Sequence, residues 1–391
     1  MDAFQIRAAN QSTLPPRFRF CPVQQAPRPS GPQERSQWLP SGPQERRHWL
    51  GLSPLQRAER WRRALPVLGI DCPKIRMSHI YYPDLGRRLR GAVAAEPIGA
   101  SEVFCRLPVA ALLSQFSVGN SSLRGLMDTY CDECHAASQR RTAQQPSVSL
   151  TAILAVFALR EGARRASRSM PHLHAILAPD ESTDGNPASW PQEERDSPRQ
   201  QAAGAYAGAL AAVKRATIAR EYASLFPSAF RQHARELGEG VGCAHDGSGH
   251  TGAAQPCSVA QLVQQVYSLP RFARIYLQLQ SRGFHGRLYG AHRPYVAPLL
   301  DLFNYGDVGV GVVIGVDEAR HELVAMATRP IEQGRELLFD YGELGCREAA
   351  LVSHGFAPVS ARPCTAAQAA AEAESIRSGE GRRTVFLKEH E

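Results

Sequence analysis

Residues 294–358 read PYVAPLLDLFNYGDVGVGVVIGVDEARHELVAMATRPIEQGRELLFDYGELGCREAALVSHGFAP. A mostly apolar run, 296–303, carries Asp301 and is broken by the polar pair Asn304-Tyr305 and then Gly306. Two strand-like runs follow, 310–316 and 323–327, joined by the turn-like Asp317-Glu318-Ala319-Arg320. A third short strand, 336–339, ends at Asp340-Tyr341-Gly342, and a helical segment closes the unit at His354-Gly355-Phe356. Strands that each end in a polar or aromatic residue beside a glycine point to a site assembled at strand ends.

Upstream, Leu89, Gly91 and Val93 alternate with Arg90, Ala92 and Ala94 in strand fashion. A turn at 97–101 leads to a second strand, 103–107, stopped by Pro108. The two strand-rich ends are nearly two hundred residues apart, and the stretch between them reads as helical. Its helices are expected at 150–164, where a basic last turn suits the helix dipole, from 187–194, at 200–225, and at 259–280 as one or two helices interrupted at Pro270. The Gly-, His- and Ser-rich 238–256 reads as a loop, and 54–68 and 365–377 as short helices. Residues 1–50 are rich in Pro, Gln and Arg and contain a tandem repeat, SGPQERSQWL at 30–39 and SGPQERRHWL at 41–50. Two copies are too few for a solenoid, so a disordered arm is expected there.

The chain has 391 residues, an ordinary 43% apolar content and a net charge of +8 that comes mostly from scattered arginines. Scattering gives no basic face for nucleic acid. No apolar run is long enough to cross a bilayer. Nine cysteines, mostly isolated, read as reduced thiols of an intracellular, cytoplasmic or nuclear protein. The first thirty residues carry one acid, Asp2, and also permit an organelle (plastid or mitochondrial) transit peptide.

The ordered landmarks Pro298-Leu299-Leu300-Asp301-Leu302-Phe303-Asn304-Tyr305, Ile331-Glu332-Gln333-Gly334-Arg335-Glu336, Tyr341-Gly342 and Gly355-Phe356 resemble the C-terminal half of a SET domain. The SET domain is the fold of protein lysine methyltransferases, and the closer likeness is to the class typified by the Rubisco large-subunit lysine methyltransferase. Residues 84–114 resemble the opening of the same domain, with Glu102 and Pro108 kept. The resemblance implies an α+β fold in which a β-rich SET core is interrupted by a helical insertion and the C-terminal substrate-binding lobe is largely missing. It divides the chain into an N-terminal arm (1–75), a SET domain (76–358, with core 76–117 and 275–358 and insertion 118–274) and a short tail (359–391).

What the resemblance implies chemically is S-adenosyl-L-methionine-dependent N-methylation of lysine on a non-histone protein, by a monomer. Leu89, Arg90, Gly91, Arg282, Asn304 and Tyr305 then fall at cofactor-binding positions, with Arg282 in Ser281-Arg282-Gly283-Phe284 facing the cofactor's carboxylate. Asp301, Phe339 and Tyr341 fall along the lysine channel, Tyr341 with its hydroxyl beside the transferred methyl as the catalytic residue. The chain departs from the family pattern at Leu89 and Ser101, where the family has glycines, at Tyr305, where it has histidine, and at Gly345-Cys346-Arg347-Glu348, where it has Ser-Asn-x-Glu. Those departures leave a second reading, an inactive SET-fold scaffold that binds a protein partner. Two metal readings are weaker: Cys131-Asp132-Glu133-Cys134-His135 as haem attachment, or joined to Cys243, His245, His250 and Cys257 as a zinc site. No resident metal is expected.

Overall fold

The computed structural model describes residues 65–82, 87–139, 148–164, 173, 186–189, 203–239, 241, 258–288, 291–306, 310–317, 319–342, 344–358 and 360–378. Strands β1 (Ile75–Tyr82) and β2 (Arg87–Ala94) pair antiparallel, with Gly91 opposite Ser78. β3 (Val103–Pro108) leads into the helices α1 (Gln115–Gly119), α2 (Arg124–Gln139), α3 (Leu150–Ala163), α4 (Ala207–Gly238), α5 (Val259–Gln265) and α6 (Leu269–Arg282). A hairpin follows, β4 (Phe284–Leu288) with β5 (Ala291–Tyr295), then β6 (Asn304–Tyr305), β7 (Val312–Asp317), β8 (Glu322–Ala327) and β9 (Leu338–Phe339). Helices α7 (Arg347–His354) and α8 (Ala366–Ser378) complete the described chain.

The sheet order β3-β8-β7-β9-β6 brings residues from both ends of the sequence into one layer. β8 shows why it forms: Leu323, Ala325 and Ala327 are buried while the residues between them are not, the two-residue period of a half-buried strand. Those side chains share one core with Leu107, Val312, Ile314, Phe303 and Phe339. At the turn into β3, Ser101 holds φ at 62°, and its N–H donates to Ala327 O at 2.8 Å. A Cβ in the left-handed region crowds the following carbonyl.

The helices form a second core. α3 is apolar all round and buried from Ala152 to Glu161, as a central helix must be. Ser149 caps it by accepting from Ala152 N, and donates its own hydroxyl to Glu221 Oε2 at 2.6 Å. Arg160 is fully buried, and its guanidinium donates to Glu236 O at 2.7 Å, Glu161 Oε1 at 2.8 Å and Glu239 Oε2 at 3.1 Å. Buried charge of this kind survives only when paired and hydrogen-bonded. Lys214 is also buried, and desolvation lowers its ammonium to about 8 against the opposing pull of Glu372 and Glu221. α6 buries Phe272, Ile275, Tyr276 and Leu279, one face at helical spacing, and delivers Arg282 at its end toward the strand core.

Several elements differ from expectation. Of the one or two helices expected over 259–280 there are two, α5 and α6, and the break falls just before Pro270, which sits in the first turn of α6. α4 starts after Gly204, whose φ is 109°, and runs past Pro227 to Gly238; its backbone leaves helical geometry only at His233. Of the strand expected over 336–339, only Leu338–Phe339 lies in the sheet, while Glu336 makes an isolated bridge with Val93. From 187–194 the structure gives a single turn, Pro187–Ser189; residues 190–194, the tandem repeat and nearly all of the 238–256 loop lie outside the described residues. The reading of all nine cysteines as reduced thiols is corrected. The fold brings Cys72 to Cys105 and Cys346 to Cys364, with Cα atoms 4.2 and 4.9 Å apart, and each pair is disulfide-bonded.

Relief of the backbone strain at Ser101 is directly measurable. Ser101→Gly is expected to raise the unfolding free energy by about 1 kcal/mol in urea denaturation, because glycine adopts this φ without penalty.

Candidate functional site

The site is built outward from residues 299–305. Leu299 is buried with φ 74° and ψ −44°, close to the strained γ-turn that side-chain-bearing residues rarely adopt. It launches the tight turn Leu300–Leu302, and the next residues direct their polar groups toward α6, β2 and the residues flanking β9. Asp301, buried, lies against the end of α6: Arg282 Nη1 donates to Asp301 O at 3.2 Å and sits 3.5 Å from Asp301 Oδ2. Phe303 O accepts the Tyr341 hydroxyl at 2.7 Å. Asn304 Nδ2 donates to Arg90 O at 3.1 Å and to Glu336 Oε1 at 2.8 Å. Glu336 Oε1 also accepts the Tyr82 hydroxyl.

β2 approaches closely because residue 91 has no side chain. A Cβ there would lie 2.5 Å from Ile80 Cδ1, 2.7 Å from Asn304 Nδ2 and 3.1 Å from Glu336 Oε1. Leu89 faces Ile80 across the hairpin, and Arg90 takes part through its carbonyl. On the far side, Tyr305 packs its ring on Tyr341 at 5.6 Å in an edge-on arrangement and on Phe356 at 5.7 Å. Phe339 and His354 complete the aromatic group around Tyr341, at 6.1 and 6.0 Å.

Burial, with the nearby carboxylates of Asp301 and Glu336, pushes the Tyr341 phenol well above its ordinary value near 10, against the pull of the Arg282 cation. Tyr82 is pushed up as well, by burial first and then by its hydrogen bond to Glu336. Both phenols therefore stay protonated across the physiological range and act as O–H donors.

Arg90, Gly91, Arg282, Asp301, Asn304, Tyr305, Phe339 and Tyr341 thus gather around one segment, whereas Leu89 is placed opposite Ile80 in the hairpin. Within it, Arg282 and Asp301, expected in separate roles, pair with each other. Tyr82, Glu336 and His354 were not foreseen as parts of a site. Glu336 stood inside a quoted landmark and was read as strand; Tyr82 ends a strand with no alternation to mark it. Of the metal readings, Cys131 is buried on α2, whereas the side chains of Cys134 and His135, and residues 243, 245, 250 and 257, lie outside the described residues. Among the described residues, Cys346, Glu348 and Cys364 offer ligand atoms within 4.8 Å of one another, but the two sulfurs are bonded to each other and present no thiolate.

The close approach at residue 91 gives a direct test. Gly91→Ala is expected to separate β2 from Asn304 and lower the unfolding free energy by roughly 1–3 kcal/mol, the usual cost of overpacking, as read by urea denaturation. A neutral substitution would show that β2 and Asn304 are not held in contact.

No protein-family model matches the chain. No curated protein matches its sequence. Solved structures do. The SET domain of LSMT bound to lysine and AdoHcy aligns over 78% of this chain and 58% of its own length, at 16% identity and a TM-score of 0.55. Rubisco LSMT bound to sinefungin and monomethyllysine aligns over 79% of this chain and 57% of its own, at 18% identity and a TM-score of 0.54. This chain therefore spans under two thirds of the length of the structures it resembles, and what it shares with them is the fold. Its mixed α and β architecture is similar in fold to the SET domain of these structures.

Proposed function

We propose that the chain is an S-adenosylmethionine-dependent protein-lysine N-methyltransferase acting on a non-histone protein. The observation that carries this reading is the convergence of Arg90 O, Gly91, Arg282 and Tyr341 on Asp301, Phe303 and Asn304. The solved structures with the same fold are bound to AdoHcy and lysine, or to sinefungin and monomethyllysine. In this reading residues 118–274 are the helical insertion, and residues 76–117 and 275–358 the catalytic core.

The donor set fits the cofactor. Arg282 supplies a planar cation for a carboxylate, and the backbone at Gly91 is open to close approach because no Cβ stands there. S-adenosylmethionine would supply a sulfonium methyl. With it bound, the lone pair of a neutral lysine nitrogen would take that methyl, the C–S bonding pair would leave to sulfur, and the surplus proton on nitrogen would pass to water. A lysine with an ordinary pKa near 10.4 must first lose a proton, which a dry channel favours. Tyr341, held neutral, orients and polarises the reacting groups and removes no proton. Tyr305 replaces the family histidine and braces Tyr341 by ring contact.

The scaffold reading is favoured by one feature: Arg282 Nη1 is already engaged by Asp301, bonded to its carbonyl and 3.5 Å from its carboxylate. Methyl transfer separates the two readings. With methyl-tritiated S-adenosylmethionine and a heat-inactivated cell extract as acceptor, label recovered as N-methyl-lysine is expected from the wild-type chain. Tyr341→Phe is expected to lower that rate about a hundredfold, the scale for losing one preorganised polar group, because it removes the hydroxyl oxygen that Phe303 O holds in place, with cofactor affinity unchanged. No methyl-lysine from the wild type would leave the scaffold.

A further inference from the structure

Glu348 is buried in the first turn of α7, yet among the described residues its carboxylate accepts one hydrogen bond, from Cys364 N at 2.7 Å, and makes no ion pair. A buried carboxylate ordinarily has a cation or several donors to offset its lost hydration. The chain keeps room for this one. Gly204 faces it with φ at 109°, and a Cβ there would lie 2.4 Å from Glu348 Oε1 and 2.8 Å from its Cδ. The carboxylate stands within 4.8 Å of both sulfurs of the Cys346–Cys364 pair, and all three residues are buried. Cys346 is the N-cap of α7, a position where the helix end favours a thiolate. The surrounding contacts are the apolar Ala349 and Ala369, with Tyr206 against them. A disulfide by itself has no use for a buried anion beside it.

We propose that Cys346, Cys364 and Glu348 form a zinc site when the disulfide is reduced, so that a metal ion ties the closing helices in the reduced chain and a covalent bond ties them in the oxidised one. The site uses none of the groups around residues 299–305 and does not rest on the methyltransferase reading. Opening the bond takes two electrons from a dithiol, which leaves as its own cyclic disulfide while both protein sulfurs are protonated. Zinc then displaces those two protons to solvent and binds two thiolates and one carboxylate. A small-molecule disulfide reverses the step: it accepts the two electrons and becomes thiols, the protein S–S bond re-forms, and the ion is released. Two sulfurs disfavour the hard cations magnesium and calcium, and three protein ligands leave the fourth tetrahedral position of zinc to a water.

The test uses the full chain, reduced with dithiothreitol, desalted under argon and titrated with zinc against a competing colorimetric chelator. Cys346→Ser and Cys364→Ser, treated alike, give the background from the other cysteines. The reduced wild type is expected to take up one zinc equivalent more than either variant, and to lose that surplus when oxidised glutathione re-forms the bond. Cobalt(II) in place of zinc should give a stronger sulfur-to-metal charge-transfer band in the wild type than in the variants. Glu348→Gln keeps an acceptor for Cys364 N and is expected to weaken the surplus site more than about a hundredfold, beyond the cost of losing a group outside the coordination shell. Equal zinc uptake by the reduced wild type and both serine variants overturns the proposal. So does a Glu348→Gln chain that holds the surplus equivalent as tightly as the wild type. If Glu348→Gln does not fold, the comparison of the wild type with the serine variants decides alone.

Discussion

A buried leucine at positive φ sets the geometry from which the rest follows. Leu299 is held in a conformation costing about 1–3 kcal/mol, and only dense surroundings keep a bulky side chain there. The tight turn it starts leaves no slack in residues 301–305, so each carbonyl and side chain points at a fixed neighbour. Asp301 turns toward α6, Phe303 O toward Tyr341, and Asn304 toward β2. Strain at this point is offset by two packed cores and is transmitted as precision at the site.

The two cores meet there. Arg282 arrives at the end of an amphipathic helix whose inner face is locked into the helical core, whereas Tyr341 arrives at the end of a strand segment in the other. Five residues beyond Tyr341, Cys346 forms the N-terminal boundary of α7 and bonds to Cys364 ahead of α8. Glu348, buried, accepts from Cys364 N at 2.7 Å. The chain ties its closing helices with a covalent bond and a buried carboxylate. α7 in turn presents His354, which with Phe356 packs against Tyr341.

Local pattern made much of this legible. The period of two in 323–327 and the apolar run with a basic last turn at 150–164 each gave an element close to the observed one, because burial on one side or all sides writes itself into adjacent residues. The break near Pro270 was legible, whereas helix α4 runs beyond the expected end at 225, past Pro227 to Gly238, with Leu225, Phe226 and Leu237 buried along it. Strand β1 was invisible: its residues are mostly half-buried, without alternation. The motif order named Asn304 and Tyr341, but the groups that orient Asn304 come from positions 82 and 336, and no short-range pattern links those to 304. The disulfide partners were unreadable for the same reason, since isolated cysteines reveal pairing only once the chain is folded.

The central claim is that residues 299–305 complete a pocket for S-adenosylmethionine, and calorimetric titration of the purified wild-type chain with that molecule tests it most directly. The account predicts saturable binding at one site per chain with a micromolar dissociation constant, lost in Asn304→Ala and in Arg282→Ala while both variants remain folded. Absence of binding by the folded wild-type chain, or binding that survives both substitutions, would contradict it.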